Sequence, residues 1–232
     1  MAPSSNLGRI HPSDLLLVKE RRPPGGMVLE MHAHSSDRSL DSGACAIALV
    51  EQAARRSLDG LCLTDHNAVW SDGELREMSE RFELIVLAGM ELGTDAGHVL
   101  VYGLQQYSPE LLVLERLRPI AEYEGAAMVL AHPMRAFYGR RPGWDEFPLW
   151  FDGVETINGD HSDTENGYLT RHAQQLGLAT LGGSDAHSVD AVGRVGTVFP
   201  SEVRATEDVV SLIRSRRTAA VDFRPGFGAI SK

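Results

Sequence analysis

The chain reads as an α/β protein folded as a single barrel domain, and three observations predict this. Apolar runs of strand length recur along it, amphipathic segments of helix length separate most of them, and nearly every run ends in polar, ionisable residues. Near-continuous apolar strands alternating with helices indicate βα units and a largely parallel sheet. Chemistry at the C-terminal ends of successive strands is the barrel arrangement. An open doubly wound sheet is the alternative. It would spread the polar ends apart, whereas here so many must converge on one site.

The bulk properties agree. The chain has 232 residues, enough for one sizeable core, and 43% are hydrophobic. A net charge of −10 argues against a broad electropositive nucleic-acid surface. It leaves room for a short nucleotide or a strand end held at a metal site. No apolar run approaches membrane-spanning length, and Leu15 to Val18 is too short for a signal segment, so a cytoplasmic protein with no membrane partner is expected. Cys45 and Cys62 are far apart and not in a metal spacing. Cys62 lies in the run Leu61-Cys62-Leu63 and reads as a buried thiol.

In chain order, residues 1–26 read as a partly ordered arm, with prolines and glycines and no sustained period; Leu15 to Val18 is the stretch expected to lie on the body. Residues 27–232 are the barrel domain. Its runs lead successively to His32 and His34, to Thr64-Asp65-His66-Asn67, through Gly89 to Glu91, to His132-Pro133, to Glu155 and Asn158, and to Ser184-Asp185-Ala186-His187. Helices are predicted over 46–58, with Ile47, Val50, Ala54 and Leu58 on the apolar face, over 111–123, over 168–176, and over 209–213 with Thr206 as N-cap. His98 begins its run instead of ending it. Gly93 to Gly97 is therefore expected to turn a hairpin that brings His98 back beside Glu91.

The chemistry lies in the histidines. His32 and His34 are at i and i+2 of a strand end, so both imidazoles point the same way. Neutral imidazole suits zinc, iron and copper. Of nine histidines, six fall in these strand-end motifs: His32, His34, His66, His98, His132 and His187. Gathered for packing alone, six would repel one another when protonated. A cluster of two or three divalent ions is the economical explanation, with Glu91 and Asp185 as the natural acids. His11 and His172 read as surface residues, and His161 as lying near the site.

His32-Ala33-His34, Thr64-Asp65-His66-Asn67, Glu91, His98, Ala131-His132-Pro133 and Gly183-Ser184-Asp185-Ala186-His187 resemble, in identity and order, the motifs of the PHP (polymerase and histidinol phosphatase) family, over about residues 27–200. The resemblance implies a distorted (β/α)7 TIM-like barrel with two or three divalent ions, Mn, Zn or Fe, hydrolysing phosphate esters. It implies one metal on His32, His34, Glu91 and Asp185, with Glu91 bridging to a second on His98 and His132. His66 and His187 would help hold a third. A further acid is expected after the first motif, where Asp41 fits, with Asp37 as competitor and a helix N-cap as the other role for Asp41. Glu30 stands where the family has Asp and is expected to support the ligands without binding metal, and Asp65 to orient a histidine. Arg135 resembles a family arginine that grips the substrate phosphate, a task that suits a planar guanidinium; Arg194 is a weaker candidate.

The activity so implied is a phosphoesterase in which metal-activated hydroxide attacks phosphorus and His66 or His187 donates the leaving-group proton. Its substrate would be a small phosphate monoester or nucleotide, with phosphate as product. A 5′-end exonuclease on short nucleic acid and a non-catalytic metal-binding module of an assembly are the alternatives. Phe137, Tyr138, Trp144, Phe147 and Trp150 either wall the site as a lid or pack a long loop. An amidohydrolase-like enzyme would call for a bridging lysine, and no strand end carries one.

Overall fold

The computed structural model describes residues 22–136 and 139–224. The stretch to residue 21, which includes His11 and Leu15 to Val18, and the aromatic pair Phe137-Tyr138 lie outside the described residues. Arg22 is tied to the body by an ion pair to Asp59 at 2.8 Å.

Among the described residues nine strands form one sheet: β1 (Met27–Ala33), β2 (Gly60–Leu63), β3 (Ile85–Thr94), β4 (Gly97–Tyr102), β5 (Ala127–Leu130), β6 (Gly153–Asn158), β7 (Ala179–Gly183), β8 (Val195–Phe199) and β9 (Ala219–Asp222). Their order is β7-β6-β5-β4-β3-β2-β1-β8-β9. Pairs β1–β2, β2–β3, β5–β6 and β6–β7 are parallel. β4 runs antiparallel to both β3 and β5. The first seven strands curl into a nearly closed barrel. At the seam His34 N donates to Ala186 O and Ala186 N to His32 O, at 2.9 and 3.1 Å. Gly182 N donates to Thr197 Oγ1 at 3.0 Å. This close approach is why Gly182 and Gly183 lack side chains. A Cβ at Gly182 would stand 2.4 Å from Gly196 O, and one at Gly183 2.4 Å from the His32 Cβ. The reversed β4 and the added antiparallel β8 and β9 make the barrel a distorted one.

Among the described residues six helices surround it: α1 (Ala46–Arg55), α2 (Asp72–Phe82), α3 (Leu114–Tyr123), α4 (Phe147–Trp150), α5 (Asp163–Leu176) and α6 (Thr206–Arg214). Those expected are present with corrected bounds and faces. On α1 the buried apolar residues are Ala46, Leu49, Val50 and Ala53, an i, i+3, i+4, i+7 set, while Ile47 points outward. Helix α2 was missed, although Ser71-x-x-Glu74 is a capping-box signature and forms one. Helix α5 starts at Asp163, five residues before the prediction, behind a second such box on Ser162 and Glu165. Thr206 is the first helical residue of α6 and not its cap; Asp208 instead accepts from the Arg204 and Ala205 N–H groups.

Phe147 and Phe151 are fully buried in the core, and Trp144 packs on Phe147, Tyr168 and His172. These aromatics hold the outside of the barrel together and are not a lid. His172, expected at the surface, is half-buried under Trp144. Both cysteines are free, and burial pushes the Cys62 thiol up. Among the described residues no helix is long and apolar enough to cross a membrane.

Candidate metal centre

The C-terminal strand ends converge as the alternating runs required. His32 is in β1 and His34 one residue beyond it, both fully buried, with Nε2 atoms 3.0 Å apart. Glu91 lies within β3 and is 1% exposed. Across the β3–β4 hairpin His98 Nδ1 stands 3.0 Å from Glu91 Oε1, where the reversed strand was expected to bring it. His132 follows β5, and Asp185 and His187 follow β7.

Three overlapping ligand groups result: His32, His34, Glu91 and Asp185; Glu91, His98 and His132; and His34, His66 and His187. Glu91 joins the first two through different oxygens. Oε2 is 3.4 and 3.1 Å from the Nε2 atoms of His32 and His34, and Oε1 is 2.9 Å from His132 Nε2. His34 joins the first group to the third. Asp41 borders that third group, its Oδ2 lying 3.0 Å from His66 Nε2 and 3.2 Å from His187 Nε2. Asp37 is elsewhere, accepting from Ala46 N at the start of α1. Of the two acids, Asp41 faces the histidines and Asp37 the start of α1, and Asp41 is not a cap.

The residues fit a metal. Within the first group the His32–His34, His–Glu91 and His–Asp185 separations run from 3.0 to 3.4 Å. A tetrahedral site with bonds of about 2.1 Å has ligand–ligand edges of about 3.4 Å. Asp185 Oδ1 is buried with no hydrogen-bond partner, and such an atom calls for a bound group. Backbone strain is present at the same place: His132 and Asp185 have φ of +26° and +53°. Such conformations cost on the order of 1–3 kcal/mol each in a non-glycine residue and gather at functional sites.

Electrostatics bind the cluster together. Burial pushes the Glu91 carboxyl up, but His32, His132 and His34 outweigh it and hold the group well below the usual carboxylate range. The same balance lowers Asp185, chiefly against burial through His32. Burial lowers His32, and the charges of Asp185, Glu155 and Glu91 more than reverse it. Burial raises the exposed Asp41, and His66 and His187 together outweigh it and lower the group.

A ring of buried groups holds these side chains. Glu155 accepts from His32 Nδ1 at 2.9 Å and from His132 N at 2.8 Å, so it leaves His32 Nε2 facing the other ligands. Asn158 Nδ2 donates to the same carboxylate. Glu30 accepts from the backbone N–H groups of His32, Ser184 and Gly193, the supporting role expected of it. Asp65 reaches a histidine through Ser39, whose Oγ donates to it at 2.7 Å and stands 3.4 Å from His34 Nδ1. It accepts from Ser35, Ser39 and Trp70, and Ser39 Oγ in turn takes the His66 N–H. Ser39 carried no signal in the sequence. Arg135 reaches the cluster, donating to Asp185 Oδ2 at 2.7 Å and Asp160 Oδ2 at 3.3 Å. Arg194 is exposed and not brought to it.

Glu155→Gln is expected to weaken metal binding by about 10–100-fold, because the amide can donate where only acceptors suit both partners. Titration of the metal-stripped protein with Zn²⁺ checks it. Wild-type affinity in the variant would make Glu155 a packing residue only.

Several known proteins are similar to this chain in sequence or in fold. Residues 164–218 match the family model described as PHP-associated. The error-prone DNA polymerase of Mycobacterium tuberculosis is 28% identical over 201 residues, 86% of this chain but 18% of the polymerase. The chain therefore spans less than a fifth of that relative. PsfC from Pseudomonas syringae superposes with TM-score 0.66 at 22% identity, covering 85% of this chain and 92% of PsfC. A two-domain Bacteroides vulgatus protein containing a predicted PHP-like metal-dependent phosphoesterase superposes with TM-score 0.67 at 21% identity, covering 85% of this chain and 65% of that one. At such identities the two structures testify to the fold.

Proposed function

We propose that the chain is a PHP-family protein, as the match to the PHP-associated model and the likeness to the polymerase support, and a metal-dependent phosphoesterase acting on small phosphate monoesters or nucleotides. The observation that carries this is the set of three ligand groups sharing Glu91 and His34. Residues 27–232 would form the catalytic domain, with 1–26 as an arm.

His32, His34, Glu91 and Asp185 would hold one ion, Glu91, His98 and His132 a second, and His34, His66 and His187, bordered by Asp41, a third. Mn, Zn and Fe all suit such a set of imidazoles and carboxylates. When bound, the ions supply Lewis-acid charge and lower the pKa of water toward neutrality. Arg135, less than half exposed and held between Asp185 and Asp160, is placed to grip a phosphoryl oxygen. His66 and His187 stand at the rim, 28% and 31% exposed, where either can pass a proton to the departing alkoxide when it is not a ligand. No serine or cysteine nucleophile is required. A second reading, action on the 5′ end of a short nucleic acid, draws support from the likeness to a polymerase over 86% of the chain.

The test is phosphate release in Mn, Zn and Fe forms from mononucleotides, dinucleotides, sugar phosphates and 5′-phosphorylated oligonucleotides, beside a His132→Ala control. Turnover of one class, falling by about 100-fold or more in the control, is expected. Metal-loaded protein that turns over none of them would overturn the proposal in favour of a non-catalytic metal-binding module.

A further inference from the structure

We propose that a cavity beside the candidate metal centre, walled by His161, Asp160 and Glu165, binds the hydroxyl groups of the alcohol half of the ester, so that the substrate is a sugar or nucleoside phosphate and not a simple alkyl one. This rests on the phosphoesterase reading above. The cavity has a volume of about 390 Å³ and is lined by Met134, Arg135, Asp160, His161, Glu165 and His187. Arg135 and His187 also belong to the metal centre, so a phosphate held there would direct its alcohol into this space.

His161 is the telling residue. It follows β6, with its N–H on Asn158 O and its own carbonyl held by Arg224. The residue is 6% exposed, yet neither ring nitrogen has a hydrogen-bond partner. A buried polar group left unmade costs about 1–3 kcal/mol, and native structures seldom tolerate one without a use. Burial lowers the imidazole below its ordinary range, against the pull of Glu155 and Glu165. A neutral imidazole offers one donor and one acceptor. A hydroxyl group answers both, whereas a phosphate oxygen only accepts.

The rest of the wall selects in the same direction. Asp160 and Glu165 are acceptors and would repel a second phosphate while taking hydrogen bonds from hydroxyls. Among the lining residues Arg135 is the one cation of fixed charge, and its Nη2 is already shared by Asp160 and Asp185.

The experiment compares esters that differ only in hydroxyls: glycerol 1-phosphate against n-propyl phosphate, and AMP against 2′,3′-dideoxy-AMP. The metal-loaded protein is expected to favour the hydroxylated member of at least one pair by about tenfold in kcat/KM. That ratio is expected to fall toward one in His161→Ala and to shrink in Asp160→Asn, a surface change that leaves the core alone. Equal use of both members in wild type, or a preference that survives in both variants, would overturn the inference. If none of the esters is hydrolysed, nor p-nitrophenyl phosphate, the phosphoesterase reading fails by itself. The ratio of calorimetric Kd values for the same pairs then decides the hydroxyl site.

Discussion

Glu91→Gln is expected to remove more than one equivalent of bound metal and to lower phosphate-ester turnover by about a thousandfold. The residue is 1% exposed, and its two oxygens face different groups, Oε2 toward His32 and His34 and Oε1 toward His98 and His132. Glutamine keeps the shape but loses the charge, and one of its two ends becomes a donor with no negative oxygen to offer. One substitution therefore damages two ligand groups, whereas loss of His98, 38% exposed at the rim, damages one. Metal analysis by mass spectrometry, with circular dichroism to confirm the fold, measures it. Full metal content with more than a tenth of wild-type turnover would remove Glu91 from the bridging position.

Gly183→Ala is expected to be among the most damaging single-methyl additions in the chain. The new Cβ would meet the His32 Cβ at 2.4 Å, Glu155 Oε1 at 2.6 Å and His32 N at 3.2 Å. None of these can step aside: one is strand backbone, one a buried ligand, and one the carboxylate that orients that ligand. The seam between β1 and β7 must open, at an expected cost of about 3 kcal/mol or more. Gly73→Ala in α2 is the contrast. Nothing lies within 4 Å of its added Cβ, and a gain of about 0.5–1 kcal/mol is expected from helix propensity. Urea unfolding of both variants measures the difference. A Gly183→Ala protein as stable as wild type would show that the barrel is not closed at this point.

Helix registers show where sequence reading falls short. The periodicity of 46–58 located α1 but chose Ile47 for its inner face, because several apolar residues satisfy a 3.6 period and only packing selects among them. Helix α2 was overlooked because its interior is polar, with Leu75 and Met78 as its buried residues. β8 and β9 lie beyond the repeating pattern of runs that end in ligands.

The α/β barrel, the six histidines with Glu91 and Asp185 as one constellation, and the nearness of His98 to Glu91 were all legible in the sequence. Each follows from local rules: strand alternation, hairpin turns, and ionisable residues at the ends of apolar runs. Only the closed barrel decided that Asp41 and not Asp37 borders the cluster, that Asp65 reaches His34 through Ser39, and that Glu155 orients His32. It also decided that the Trp144–Phe151 aromatics are core, and that His161 is buried with both nitrogens unused. These are facts about side chains from elements distant in sequence meeting in three dimensions. No local spacing encodes such meetings, because they depend on how the barrel closes.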